Sequence, residues 1–319
     1  MRVLNKISNK NKKNSFAFMV PYLGVIVVFL LFLVWSRGSI MSKTNLYAII
    51  NQAYNIMLIG TGAIFVYSYG GLDFSLGALL GVCSLIITLV VRADLPAFLG
   101  IFLAVLLGVF NGFASGMLSR CLKLPIFIVT LSLSYIWSGL SEYGCRGGLM
   151  YLPSEFIQVF NSWGLKISVL ILFLLISYFF FNYNRFGKYM KIIGGNAEVA
   201  KLNGIHVTKY IVLAHMVTGF CTAVAAVFSV ARAGSCNATA GTGVQMDVMI
   251  GLVLGGVPLS GGVRSRSSAI IVGALITALL ANGLVLCGIN QYFVEGVTGL
   301  VFIVVVALSF KRTKGQIIS

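Results

Sequence analysis

Two stretches of this chain hold residues whose types and spacing could do chemistry, and both are built on doubled glycines. In Gly70-Gly71-Leu72-Asp73-Phe74-Ser75 an acid follows the pair; in Gly255-Gly256-Val257-Pro258-Leu259-Ser260-Gly261-Gly262 a proline does. Such a sequence breaks a helix and exposes backbone groups and helix ends, a device that serves to bind solute or to hinge. Asp73 therefore either binds a solute hydroxyl or satisfies the broken helix end beside it, and the structural role is favoured. His215, alone in an apolar stretch, reads as a hydrogen-bonded packing residue. Asn51, Gln52, Asn55, Asn111 and Asn282, with many Ser and Thr, also fall in apolar stretches. Together they suit a pathway for a neutral, hydroxylated solute, although each one alone would serve equally as an interhelical hydrogen-bonding residue. Asn51, Asn55, Asp73, Asn111 and Asn282 are the residues we expect to line or shape that pathway.

A different chemistry, docking, is suggested by residues 185–209, RFGKYMKIIGGNAEVAKLNGIHVTK. The segment carries Arg185, Lys188, Lys191, Lys201 and Lys209 against one acid, Glu198. Asn196 is placed to cap a helix over Ala197–Leu202, and Gly204 stands where a left-handed residue would end it. A solvated basic loop and a docking helix are both consistent with that composition.

Other chemistries lack their parts. The chain has two histidines and no HExxH, GxSxG or paired Cys/His ligand spacing, so no enzyme signature is present. It has no GxxxxGK[ST] loop, so any active transport must draw its energy from another subunit. Cys83, Cys121, Cys145, Cys221, Cys236 and Cys287 show no metal spacing. Cys145 and Cys236 fall in expected outer segments, where they could pair; the others read as small buried hydrophobes.

The elements that must position these residues are membrane spans. Of 319 residues 59% are hydrophobic and 9% charged, against roughly 25% charged in water-soluble domains. Spans of about 20 apolar residues are read at Phe16–Trp35, Asn45–Tyr69, Leu76–Val91, Pro96–Leu118, Ile126–Leu140, Ile167–Phe181, Tyr210–Ala231, Val248–Ser260, Ser268–Cys287 and Tyr292–Phe310. The third and eighth are short or broken by glycine. Small residues such as Gly108, Gly112, Gly116, Gly251 and Gly273 would let these helices pack closely.

Net charge is +16, which in a soluble chain would suggest nucleic acid. Here the basic residues cluster between the apolar runs, and retention on the cytoplasmic side explains them without a nucleic-acid partner. With ten spans and both termini inside, only Arg37, Lys43, Arg92, Arg146, Lys166 and Arg232 of the 23 Lys/Arg lie outside. The expected organisation is all-α and polytopic: a basic cytoplasmic tail 1–15, one transmembrane domain 16–310 and a cytoplasmic tail 311–319. The first span is expected to remain uncleaved, being longer than a signal core and with no small-x-small site following at Arg37–Ser42.

With the spans placed, the chain resembles the permease subunits of bacterial ABC importers for monosaccharides, the ribose-type family. The segments that carry the resemblance are Tyr69-GGLDFSLGALLG, RFGKYMKIIGGNAEVAKLNGI at 185–205, TAGTGVQMDVMIGLVLGGVPLSGG at 239–262 and ALLANGL at 278–284. The resemblance runs from about residue 45 to 310. It implies a multi-pass protein of the bacterial cytoplasmic (inner) membrane that pairs with a second copy or a paralogue. It also implies an ABC ATPase subunit that binds ATP and Mg, and an extracytoplasmic sugar-binding protein. On this reading Gly194, Gly195, Asn196, Glu198, Val199, Ala200, Lys201, Leu202 and Gly204 form the helix that couples to the ATPase. Val199 and Leu202 would be its apolar anchors, and Glu198 and Lys201 would pair across the interface.

The solute expected is ribose-like, with a furanosyl signalling molecule, a nucleoside or a hexose as alternatives. An ATP-independent carrier or channel is the alternative from another class, and the near absence of acids inside the spans argues against an ion-coupled one. Two departures from the family pattern stand out: Val263-Arg264-Ser265-Arg266 replaces small residues, and the outer loop 142–166 has a sequence of its own, including Cys145-Arg146-Gly147-Gly148.

Overall fold

The computed structural model of the chain describes residues 2–309; Met1, Phe310 and the expected tail 311–319 lie outside the described residues. The described residues form thirteen α-helices and one small two-stranded sheet. The helices are α1 (Arg2–Trp35), α2 (Lys43–Ser68), α3 (Leu76–Arg92), α4 (Ala97–Cys121), α5 (Ile126–Cys145), α6 (Ser154–Phe160), α7 (Trp163–Asn182), α8 (Arg185–Gly195), α9 (Ala197–Leu202), α10 (Val207–Ala233), α11 (Val244–Leu254), α12 (Ser268–Leu286) and α13 (Gln291–Ser309). Strands β1 (Met150–Tyr151) and β2 (Ser235–Cys236) pair antiparallel, Met150 opposite Cys236.

Helices dominate because lipid offers no partner for backbone N–H and C=O groups, so each apolar run must satisfy its own. Local signals set the ends. The Ser42 hydroxyl accepts from the Asn45 amide at 3.4 Å to cap α2, and Pro96 and Pro125 stand at the N-caps of α4 and α5 with the fixed φ that suits a helix start. Helices α2, α4, α7, α10 and α12 are long and apolar enough to cross a membrane.

Burial separates the inner helices from the outer ones. The most apolar stretch of α2 is 78% buried and that of α10 72%, but the figures for α4 and α7 are 28% and 17%. The exposed stripe Phe98, Phe102, Leu106 and Phe110 on α4 is wholly apolar, as a lipid-facing surface requires. Burial between apolar helices gains little when the solvent is itself hydrocarbon, so close approach must do more of the work. The stripe Gly108, Gly112 and Gly116 supplies it, lying directly on Gly219, His215 and Val212 of α10.

Helical backbone runs unbroken from Arg2 to Trp35, through the expected tail 1–15 and the first expected span. One sequence expectation needs correction. The eighth expected span, Val248–Ser260, is not one crossing helix: α11 spans 11 residues and stops at Leu254. That is roughly 16 Å of helix against ~30 Å of hydrocarbon. The glycine-rich turns of 255–262 replace the rest, with Gly256, Gly261 and Gly262 at positive φ.

Candidate functional site

At one end of the bundle α8 and α9 form a short arm. The Asn184 side chain accepts from the Phe186 amide at 3.0 Å and starts α8. Gly187, Met190 and Ile193 face inward, and Phe186 stacks on Phe65 of α2 at 4.6 Å. Lys191 extends its ammonium over the Phe181 ring, 4.0 Å from the centroid, and partial burial there holds it below the usual lysine range.

The chain then turns at Asn196, whose side-chain oxygen accepts from the Glu198 and Val199 amides at 2.9 and 3.0 Å. The expected helix follows over Ala197–Leu202. Gly204, at φ +77°, closes it with paired bonds: Gly204 N–H to the Lys201 carbonyl at 2.9 Å and Ile205 N–H to the Ala200 carbonyl at 3.1 Å. This is a Schellman cap, with the apolar contact that accompanies it made by Ala200 and Ile205, both buried.

Val199 and Leu202 are exposed, at 48% and 87%, so α9 offers an apolar surface left uncovered by the described residues. Glu198 and Lys201 are exposed, and in the chain by itself they pair with each other at 2.7 Å, since i and i+3 are neighbours on a helix.

The two glycine breaks and this arm converge. Gly262 N–H donates to the Ser68 carbonyl at 2.8 Å, which joins the 255–262 turns to the end of α2. Gly194 sits on the same spot: a Cβ there would meet the Ser68 carbonyl oxygen, and the Gly262 nitrogen at 2.6 Å and Tyr69 Cα at 3.0 Å. Only a residue without a side chain permits three backbones to meet so closely.

From this junction a buried polar chain runs inward. The Tyr69 hydroxyl lies 2.8 Å from His215 Nε2, and His215 Nδ1 lies 2.9 Å from Asp73 Oδ2. A carboxylate only accepts, so Nδ1 carries the proton, and in the neutral ring Nε2 accepts from Tyr69. Asp73 Oδ1 accepts from the Ser75 amide at 2.9 Å and the Ser75 hydroxyl at 2.6 Å. Asn111 Nδ2 donates to Ser75 Oγ at 3.1 Å, and Trp137 Nε1 donates to Asn111 Oδ1 at 2.7 Å. Asp73 and His215 are 2% and 0% exposed; burial of such groups is tolerable because each has its partners. The chain thereby ties the 70–75 break to α10, α4 and α5.

The expected pathway residues thus separate. Asp73 and Asn111 are brought together, within a network that satisfies them, and they shape the bundle. Asn51 accepts from Lys166 Nζ at 2.9 Å in a different part of the molecule, where Asn161 also accepts from that ammonium at 2.6 Å. Asn55 is half-buried on α2. Asn282 is half-buried on α12, with its side-chain oxygen buried and unpartnered among the described residues. Sequence reading missed that Tyr69 and Trp137 end the polar chain. His215 and Asp73 are 142 residues apart, and no local pattern links them.

Cys145 and Cys236 are both buried and both free. Burial, with the neighbouring Cys145 thiol adding to it, pushes the Cys236 thiol up to about 12. No cluster of three or more His, Cys, Asp or Glu suited to a metal occurs among the described residues.

Comparison with known proteins adds to this geometry. Residues 45–306 match the family described as branched-chain amino acid transport system / permease component. A probable ABC transporter permease protein of Escherichia coli K12 is 32% identical over 301 residues, covering 91% of this chain and 89% of the relative. The ribose import permease protein of Bacillus subtilis 168 is 31% identical over 300 residues, 92% of each chain. The D-allose transport system permease protein of Escherichia coli K12 is 28% identical over 316 residues, 96% of this chain and 97% of the relative. No solved structure matches.

Proposed function

The chain belongs to the family of ABC transport-system permease components, among its monosaccharide importers, and from that premise we propose that it carries a ribose-like monosaccharide inward, driven by ATP hydrolysis in a partner subunit. It is a multi-pass protein of the inner membrane and a transport subunit. The end of the bundle that bears α8 and α9 faces the cytoplasm, and with it both termini, as the distribution of Lys and Arg favours. A second permease copy completes the membrane unit, and an extracytoplasmic binding protein delivers the sugar to the opposite end.

The observation that carries this reading is the build of the α8–α9 arm. A six-residue helix capped at both ends presents Val199 and Leu202 outward and is anchored through Gly194 to both helix breaks. A rigid knob with an apolar tip suits insertion into a groove of another protein, and its anchor gives a displacement of α9 a direct route to the ends of α2 and α11. ATP binding in the partner would draw the two knobs of the paired permeases together and rock the bundles about a central path. Differential affinity of ATP for the two states supplies the shift.

The test is co-purification from native membrane in gentle detergent. The expected result is a partner that carries a P-loop ATPase, present with the intact chain and lost when residues 194–204 are scrambled. A chain that purifies alone with full sugar uptake would leave the ATP-independent carrier in its place.

A further inference from the structure

Toward the β1–β2 end of the bundle, a cleft of about 100 Å³ lies between α3, α5 and the segment that leads from β2 into α11. Its lining includes Ala78 of α3, Ser134, Ser138 and Ser141 of α5, and Thr242 and Gln245 from the following segment. The three serines recur at i, i+4 and i+7, so they share one face of α5. The opposite wall is made by close approach: the Gly241 and Ala240 carbonyls rest on Gly77 and Gly81 of α3, where a Cβ would collide with them.

Two groups in this cleft are left without partners. Ser141 is 2% exposed, and neither its hydroxyl oxygen nor the buried Gln245 Oε1 has a hydrogen-bond partner among the described residues. Serines in apolar helices ordinarily bond back to the carbonyl four residues earlier. Ser132 on this same helix does so at 2.9 Å to Ile128, and Ser115 on α4 does so at 2.8 Å to Asn111. Ser141 does not, and a buried polar atom left unpaired is costly. The cleft beside it gives water or a solute access to serve as that partner.

The lining also limits what that occupant is. None of the lining residues is ionisable, so a charged solute would find no counter-charge there. Hydroxyls and a carboxamide both donate and accept, which matches the donor–acceptor character of a sugar hydroxyl. Ser138 and Thr242 are exposed, giving the cleft an open mouth, whereas Ser141 marks its floor. The asparagines and the acid expected to line the pathway are not among its lining residues; Asp73 and Asn111 both bond to Ser75 instead.

We infer that this cleft is the solute-contacting site of the permease, taking an uncharged polyhydroxy compound of the monosaccharide class through Ser141, Gln245, Ser138 and Thr242. The inference rests on the importer reading above. Ser141 and Gln245 are its fixed partners, and Ser138 and Thr242 receive the solute at the mouth.

The experiment uses the complete transporter in proteoliposomes, with its ATPase and binding protein, supplied with radiolabelled D-ribose, D-allose and D-fructose. Ser141→Ala and Gln245→Ala each lower uptake of the carried sugar by about threefold to tenfold. Ser138→Trp, at a position exposed in the chain by itself and checked for wild-type assembly of the complex by gel filtration, blocks the mouth and lowers uptake by more than about tenfold. Ser132→Trp, also exposed on α5 but outside the cleft, retains wild-type uptake.

A set of monodeoxy analogues of the carried sugar then gives the signature of direct contact. For one of them the Ser141→Ala loss vanishes, because the hydroxyl that met Ser141 is already gone. The binding protein's own selectivity cancels, since each comparison is variant against wild type on the same sugar. Wild-type uptake that is unaffected by Ser138→Trp and Ser141→Ala overturns the cleft and leaves the importer reading standing. A wild-type complex that carries none of the three sugars overturns both.

Discussion

The α9 knob and the Asp73–His215 chain lie on either side of Tyr69, and they are held by opposite means. Every bond that shapes α9 is made within ten residues: Asn196 caps its start, Gly204 and Ile205 close its end, and Glu198 pairs with Lys201. The bonds of the polar chain instead reach from the 70–75 break to α10 and to α4, spanning 142 residues in the first case and 36 in the second. One region is an exposed, self-contained element that can move as a unit. The other is a buried clasp whose members lose their partners if the helices shift. A knob that must follow a partner and a bundle that must keep its shape call for that division, and Gly194 is where the two meet.

The comparison can be broken most severely at the clasp. Asp73→Ala leaves His215 Nδ1 and the Ser75 amide without acceptors in a buried site, at a cost of about 1–3 kcal/mol for each. The expected outcome is a clear fall in the melting temperature of the detergent-purified chain, with Asp73→Asn losing less because it keeps one acceptor oxygen. Equal melting of Asp73→Ala and wild type would mean that the clasp does not hold the bundle.

Gly194→Ala attacks the meeting point. The added methyl must displace the Ser68 or Gly262 backbone, an overpacking of ~1–3 kcal/mol. Uptake is expected to fall more than stability does, measured as sugar transported per ATP hydrolysed in proteoliposomes.

Gly204→Val acts on the knob alone. Nothing lies within 4 Å of the position a Cβ would take, so the effect comes from the left-handed φ of +77°, which a β-branched side chain resists by about 1–2 kcal/mol. The protein should remain in the membrane with its melting temperature little changed, while ATP hydrolysis no longer drives uptake. Normal uptake by this variant would remove α9 from the coupling step.

The smallest effect is expected at Glu198→Ala. The pair it removes is exposed, 76% at Glu198 and 53% at Lys201, and such pairs contribute under about 0.5 kcal/mol. Melting should not move measurably in 150 mM salt. A marked loss of ATPase co-purification would instead show that Glu198 contacts the partner despite its pairing with Lys201.

The same contrast explains what could be foreseen. The all-α membrane class was plain from an apolar composition with few charges, because lipid admits helices and rejects other open backbone. The break at 70–75 and the limits of α9 were legible for the same reason: glycine, asparagine and proline act on the backbone within a turn or two. The α11 boundary was misjudged because an apolar run continues past Leu254, and only the packed turns of 255–262 show that the helix stops there.

What the sequence determined by itself, then, is the solvent, the class of fold, the helix breaks and the local form of α9. Tertiary structure alone decided that Asp73 meets His215 and that Gly194 meets Ser68 and Gly262. It also decided that Ser141 and Gln245 share a cleft while Asn51, Asn55 and Asn282 stand elsewhere. The reason is range: backbone preferences and capping bonds are settled between near neighbours in the chain, whereas hydrogen bonds and close backbone contacts across a bundle depend on which helices pack together and at what rotation.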